Sequence, residues 1–106
     1  KSLDFAFFEY WATDYAGHKQ EMPSALKMLA EIDGMLDGIA QRMGANDLIL
    51  VTSDHGNMED LAVRRHTANP VPLLLIGSKA ARQPFLSATT IMDVTPGILK
   101  VLGLHL

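Results

Sequence analysis

The sequence predicts an α/β fold in which a mostly parallel sheet is flanked by helices. Two apolar runs, "LILV" at 48–51 and "VPLLLIG" at 71–77, lack polar alternation, which is typical of strands covered on both faces. Between Pro23 and Met43 apolar residues recur at three- and four-residue steps, which predicts an amphipathic helix. Because the chain has 106 residues and no linker-like stretch, we expect residues 1–106 to form one domain with a modest core.

The first half of the chain predicts one parallel crossover. Residues 3–11, "LDFAFFEYW", are rich in aromatic side chains and are predicted to form a strand. Residues 13–19 are predicted to form a loop with Gly17 as its flexible point. The long helix follows from Pro23, which a first helical turn accommodates. Strand, helix and the strand at 48–51 should therefore form a right-handed parallel unit.

Two glycines of the long helix, Gly34 and Gly38, lie one turn apart and weaken it. One interpretation is a surface defect that the helix accommodates. The other is close packing on a neighbour outside this chain.

The last predicted element is a capped helix in residues 89–104, "TTIMDVTPGILKVLGL". Thr89 or Thr90 is the candidate N-cap, because a threonine hydroxyl can accept a hydrogen bond from a free N–H of the first turn. Gly103 is expected to end this helix.

Composition excludes several classes of protein. A net charge of −3 and a pI near 5.7 argue against nucleic-acid binding, which normally needs a basic face. No apolar run approaches the ~20 residues of a membrane span, and no basic run suggests attraction to a membrane surface. The absence of cysteine excludes disulfides and thiolate metal sites and favours a cytoplasmic location. Because "DFAFF" at 4–8 already reads as a core strand, we expect the chain to be a piece of a longer protein.

Side chains that commonly bind metals lie in loops next to the predicted strand ends. In an open parallel sheet, sites form outside the carboxyl ends of strands, so the loops after the first two strands should lie side by side. His66 precedes its strand, and the connection before it has no long helical period. Strand 71–76 is therefore predicted to run antiparallel, which would return His66 to the same edge. The set consists of Asp14, His18, Asp54, His55 and His66.

Each member of this set also has a plainer interpretation. A single loop histidine is usually solvated or hydrogen-bonded. Asp14 could bond its own backbone in a turn, and Asp54 could cap a following helix. His105 lies at the chain end and is not counted in the set. Convergence of three imidazoles and two carboxylates favours a metal site, and donors without sulfur suit Zn²⁺ or Mn²⁺.

Four segments resemble, in order, the C-terminal metal-binding part of the alkaline phosphatase superfamily. The most similar branch is the metalloenzyme domain of cofactor-independent phosphoglycerate mutase and phosphopentomutase, and the resemblance covers nearly the whole chain. "DHGN.E" followed by "HT.NPVP" is the most specific part. The resemblance implies a fragment of an alkaline phosphatase-like fold. The segments are "DYAGH" (14–18), "TSDHGNMED" (52–60), "HTANPVPLLLIG" (66–77) and "DVTPGILKVLGL" (93–104).

The resemblance also implies two divalent metal ions, Mn²⁺ or Zn²⁺. Asp14, His18 and His66 would bind one ion, and Asp54 and His55 would bind the other. Members of the family use a Ser or Thr nucleophile that is phosphorylated during turnover. That nucleophile and one more Asp ligand come from the N-terminal region of the full-length enzyme and match no position here. No catalytic residue is therefore assigned in this chain.

Four residues near these donors have candidate supporting roles. Arg64 and Arg65 precede His66, and their guanidinium groups suit a phosphate oxygen of a substrate. The alternative for each is a solvated loop charge. Asn57 and Glu59 are candidates for orienting the histidine ligands.

The preferred function is the divalent-metal-binding part of a phosphoryl-transfer enzyme, phosphoglycerate mutase-like, with a phosphorylated small molecule as partner. One alternative is a sulfatase, phosphodiesterase or phosphonate hydrolase of the same superfamily. The other is a non-catalytic metal-binding fragment that lacks the nucleophile. We expect this chain alone to be inactive. Two helices cannot cover both faces of a three-stranded sheet. An apolar surface should therefore remain exposed and favour self-association.

Overall fold

The computed structural model describes residues 3–104, so His105 lies outside the described part. The helices and strands alternate less regularly than the sequence predicts. In chain order they are α1 (Ala12–Lys19), α2 (Met22–Ala40), β1 (Leu48–Thr52), β2 (Leu73–Gly77), α3 (Lys79–Arg82) and α4 (Val94–Val101), with 3-10 turns at Gln83–Phe85 and Ile91–Asp93.

The two strands form an antiparallel sheet. Leu48 lies opposite Gly77, and Thr52 lies opposite Leu73. This confirms the predicted direction of the last strand, and the reason is the connection 53–72, which contains no helix to carry the chain back for parallel pairing. The mostly parallel sheet is not shown, because the sheet in the described residues has these two strands only.

The predicted strand at 3–11 is wrong. Residues 3–10 form no helix or strand, and Phe5 and Phe7 are exposed. Aromatic residues favour a strand only where a neighbouring strand supplies hydrogen bonds and packing. Without a first strand, the predicted parallel crossover does not form within residues 3–104.

The predicted loop at 13–19 is also wrong, because these residues form α1. Asp14 lies in its first turn and His18 and Lys19 in its last, which matches the sign of the helix dipole at each end. Gly17 is buried within this helix rather than acting as a flexible point. Its lack of a side chain leaves space for the Asn57 amide to pack against α1.

Helix α2 confirms the long predicted helix, and Pro23 occupies its first turn as expected. It contributes little to a core: Ala25 is its buried residue, while Leu29 and Ile39 are about half exposed. The apolar stripe of α2 therefore faces largely open space.

The C-terminal segment forms a helix as predicted, but α4 begins only at Val94, after the 3-10 turn that Thr90 precedes. The Asp93 carboxylate accepts hydrogen bonds from the backbone N–H groups of Thr89 and Thr90, which lowers the pKa of Asp93. Gly103 ends the segment in the left-handed region at φ 70°. Helix α3, which the sequence analysis did not predict, begins where Ser78 accepts a hydrogen bond from the Ala81 N–H.

The buried apolar core of the described residues is small. It consists of Ala16, Ala25 and Phe85, and the Phe85 ring packs against Gly97. Of the helices in residues 3–104, none combines the length and apolar character that a membrane crossing requires.

Candidate metal centre

Helix α1 presents the first two candidate donors. Asp14 and His18 are four residues apart and lie on the same helical face. The Nε2 atom of His18 is 3.4 Å from Oδ2 of Asp14. This is longer than a charge-assisted hydrogen bond of about 2.8 Å. It is close to the separation of about 3.4 Å between two donors that share one tetrahedral ion.

The orientation of the His18 ring is set from outside the cluster. Its Nδ1 atom is 2.7 Å from the backbone oxygen of Arg64. A carbonyl oxygen can only accept, so Nδ1 carries a proton. In the neutral ring Nε2 then holds the lone pair that a metal ion needs. Metal-binding histidines are commonly oriented in this way.

The connection between the strands brings the other two histidines together. Gly56 and Thr67 form an isolated antiparallel bridge, and the Thr67 N–H donates to the Gly56 oxygen at 2.9 Å. His55 and His66 are the residues that precede the two bridge partners. Their rings stack with centroids 3.6 Å apart and planes 13° apart. Antiparallel pairing thus returns His66 to the edge where β1 ends, as predicted.

Asp14, His55 and His66 form the tightest group of donors in the described residues. One ligand atom from each lies within 4.8 Å of the others, and His66 Nε2 is 3.3 Å from Asp14 Oδ1. His18 borders this group through Asp14. Asp54 borders it through His55, whose Nε2 is 3.6 Å from Asp54 Oδ1. All five predicted donors therefore meet.

The grouping differs from the one that the resemblance implies. That pattern joins His18 with Asp14 and His66, whereas the tightest group in the structure contains His55 in its place. His18 remains near, with its ring centroid 5.2 Å from that of His66. The structure thus shows one continuous cluster rather than two separate sets.

The charge of Asp14 suits a cation. Partial burial acts to raise the pKa of its carboxyl group, but this effect is outweighed. The hydrogen bond from Asn57 and the three neighbouring imidazoles together lower the pKa of Asp14 below its usual value. Asp14 is therefore a carboxylate, the form that binds metal, at neutral pH.

Glu59 holds the connection between the strands together. One carboxylate oxygen accepts from the Asn57 N–H at 2.6 Å, and the other accepts from the Thr67 hydroxyl and from Asn69 Nδ2. The hydrogen bond from Thr67 is the main cause that lowers the pKa of Glu59 from 4.5 to about 2. Glu59 is a candidate for orienting the histidine ligands, and its hydrogen bonds hold the loop that carries them.

The two candidate substrate residues take different positions. The Arg64 carbonyl accepts the hydrogen bond from His18, and its side chain is exposed. Arg65 lines an open groove of about 370 Å³ beside His66, together with Asp60, Thr67 and Asn69. Of the two arginines, Arg65 is the one that lines a groove beside the cluster.

The comparisons with known proteins identify the family of this chain. The family model described as the metalloenzyme superfamily matches residues 1–106, the whole chain. The chain belongs to the metalloenzyme superfamily. This confirms the resemblance to the alkaline phosphatase-like metalloenzyme domain. Membership in a metalloenzyme superfamily implies divalent metal ions, and the Asp14, His55 and His66 group is where such an ion would fit.

Three relatives that match this metalloenzyme-superfamily chain are each named 2,3-bisphosphoglycerate-independent phosphoglycerate mutase. The protein of Desulforudis audaxviator is 34% identical over 98% of the chain but only 22% of its own length. That of Laribacter hongkongensis is 32% identical over 86% of the chain and 19% of its own length. That of Cereibacter sphaeroides is 30% identical over 98% of the chain and 22% of its own length. The chain thus spans about a fifth of the length of these curated relatives. No solved structure matches it.

Proposed function

We propose that this chain is the divalent-metal-binding part of a phosphoryl-transfer enzyme that acts on a phosphoglycerate. The observation that supports this most is the convergence of Asp14, His55 and His66 within 4.8 Å, in a chain whose relatives are named phosphoglycerate mutases. His18 and Asp54 border this group, and the five donors would serve two ions, Mn²⁺ or Zn²⁺, together with a further ligand from the rest of the parent protein.

The residues of this chain would have two roles, binding the metal ions and binding the substrate. Asp14 and the imidazoles hold the ions, which when bound offset the negative charge of a transferring phosphoryl group. Arg65 faces the groove beside His66, where its guanidinium can bind a phosphate or carboxylate oxygen of the substrate. Arg64 lies beside it as a second candidate.

The nucleophile is proposed to lie outside this chain. Ser53 donates its hydroxyl to the backbone oxygen of His55, and Ser24 donates to the Glu21 carboxylate. Among the described residues, neither hydroxyl is hydrogen-bonded to an imidazole that could act as its base. Since the chain spans about a fifth of its curated relatives, the Ser or Thr nucleophile and a further Asp ligand are assigned to the rest of the parent protein. Residues 1–106 would then be the C-terminal portion of that protein.

Titration of the chain with Mn²⁺ by calorimetry tests the metal centre. We expect binding, and a loss of affinity of at least about tenfold in Asp14→Asn and in His66→Ala, because each removes a donor. Asp33→Asn, which removes an exposed carboxylate on α2, is the matched control and should bind as the unaltered chain does. An unaltered chain that binds neither Mn²⁺ nor Zn²⁺ would overturn the proposal.

Activity assays separate the remaining alternatives. The chain alone, given an aryl phosphate ester and Mn²⁺, is expected to show no turnover. The full parent protein should interconvert phosphoglycerates, whereas faster turnover of an aryl sulfate or a phosphodiester would favour a hydrolase of the same superfamily. A parent protein that binds metal but turns over none of these would favour the non-catalytic alternative.

A further inference from the structure

Asn57 is a buried polar side chain between α1 and the connection that carries the histidines. Only 5% of it is exposed. Burial of an amide is unfavourable unless its hydrogen bonds are replaced. Its Nδ2 donates twice, to the backbone oxygen of Asp14 at 3.1 Å and to the Asp14 carboxylate oxygen Oδ1. Both donor hydrogens are thus used on the one carboxylate residue of the tightest donor group.

The other end of the Asn57 amide shows that this orientation is fixed. Its Oδ1 atom is buried and has no hydrogen-bond partner among the described residues. The amide cannot turn over, because Oδ1 would then face the Asp14 oxygens, which can only accept. Oδ1 lies instead against Gly17 of α1, where a Cβ atom would overlap the amide. Gly17 therefore permits the close approach that Asn57 needs.

The backbone of Asn57 belongs to the Glu59 network. Its N–H donates to Glu59, and the same carboxylate accepts from Thr67, the residue after His66. Asn57 is also two residues after His55. It is therefore a buried point at which the helix bearing Asp14 is joined to the loop segments bearing His55 and His66.

We propose that Asn57 is the positioning residue of the metal centre. By holding Oδ1 of Asp14 and keeping α1 against the loop, it brings the carboxylate to the two stacked imidazoles before a cation arrives. The remaining oxygen, Oδ2, stays free of Asn57 and faces His18. This inference rests on the proposed function, since it concerns the same centre.

The test compares metal binding by the 106-residue chain and its Asn57→Ala variant. Affinity for Mn²⁺ is measured by calorimetry, and the visible absorption of bound Co²⁺ reports the coordination geometry. We expect the variant to bind Mn²⁺ about 10- to 100-fold more weakly, as is typical when a partner of a ligand is removed. We also expect a changed Co²⁺ spectrum at saturation, which a loss of stability alone would not produce.

Gly17→Ala provides a second route to the same prediction. It keeps the Asn57 side chain but forces it away from α1, so Mn²⁺ affinity should fall and the Co²⁺ spectrum should change in the same direction. Gly34→Ala is the matched control, because a Cβ there meets nothing within 4 Å and α2 carries no donor of the cluster. Its affinity and spectrum should be unchanged.

The outcomes distinguish this inference from the proposed function. If the unaltered chain binds neither Mn²⁺ nor Co²⁺, the proposed function fails. If it binds both, and Asn57→Ala has the same Mn²⁺ affinity and the same Co²⁺ spectrum, the positioning role alone is overturned. Variants at 57 and 17 that remain unfolded by circular dichroism even at saturating Mn²⁺ would assign Asn57 to the fold and also overturn it.

Discussion

Glu59 shows how a single residue can support a site without contacting the donors. Its carboxylate accepts hydrogen bonds from Asn57, Thr67 and Asn69. One charged group thus links the segment after β1 to the segment before β2. Its three partners are all hydrogen-bond donors, which stabilise the ionised carboxylate. The geometry of the two stacked imidazoles therefore depends on a charge several residues away from each.

Glu59→Gln should lower stability in a pH-dependent way. The folded chain holds the pKa of Glu59 at about 2 instead of 4.5. The ionised group therefore stabilises the fold above pH 4.5, and this contribution is lost as the pH falls from 4.5 towards 2. For an exposed carboxylate we expect a loss of roughly 1 kcal/mol at pH 7.

Urea unfolding followed by circular dichroism between pH 7 and pH 2 measures this effect. The difference between the unaltered chain and Glu59→Gln should be largest near neutral pH and shrink below pH 4.5. Asp33→Asn is the control for the loss of one negative charge. A difference that stays constant down to pH 2 would contradict the role of Glu59.

At the scale of elements, two classes of helical glycine can be distinguished. Gly97 of α4 lies against the ring of Phe85, which is 2% exposed and is the largest fully buried side chain of the described residues. Gly34 and Gly38 of α2 face open space, with nothing within 4 Å of an added Cβ. Neighbouring atoms, rather than helix propensity, therefore decide whether replacing a helical glycine by alanine raises or lowers the stability of the chain.

Gly97→Ala should destabilise the chain by about 1–3 kcal/mol, because the added methyl group forces the Phe85 ring out of its position. The urea midpoint is the measurement, and it should fall without a change in slope. An unaltered midpoint would mean that α4 and the Phe85 segment are not packed as the structure shows.

Gly34→Ala and Gly38→Ala should each stabilise the chain by about 0.5–1 kcal/mol, since alanine is the better helix former where space is open. Thermal unfolding measures the gain. This outcome agrees with the interpretation of these glycines as surface defects. If both changes instead weaken association of the chain, the interpretation as a close-packing surface is supported.

The whole molecule exposes more surface than a compact protein of its size. Its accessible surface is 8156 Å², against about 5,800 Å² expected for a compact 11.6 kDa chain. The radius of gyration is 15.3 Å, against about 13 Å for a compact domain of this length. Large apolar side chains account for part of this surface. The most exposed are Leu3, Phe7, Phe8, Trp11 and Met92.

We expect the isolated chain to self-associate, as predicted from its elements. An apolar groove between α2 and β2, lined by Leu29, Leu36 and Leu74, is the part of this surface chosen for the test. Light scattering should show dimers or larger species at high concentration, and Leu74→Lys should shift them towards monomer. Met92→Lys, which changes an exposed apolar residue outside the groove, is the control. A clean monomer of the unaltered chain would contradict the prediction.

The sequence predicted those elements that a continuous pattern of apolar residues specifies locally. The strands at 48–51 and 71–77 and the long helix are confirmed, because continuous apolar runs and a sustained helical period leave few alternatives. The strand at 3–11 is wrong because strand formation needs a partner, which a sequence pattern does not supply. Helix α1 was missed because Gly17 was interpreted as a flexible point, although it is a packing position.

By itself the sequence determined the family and the types of donor: two carboxylates and three imidazoles in a fixed order, with no sulfur. Only the tertiary structure decided which donors share a point, that His55 rather than His18 joins Asp14 and His66 most closely, and that Asn57 holds Asp14. The physical reason is distance along the chain. Asp14 and Asn57 are 43 positions apart, so their contact depends on how helix and loop pack, which no local pattern specifies.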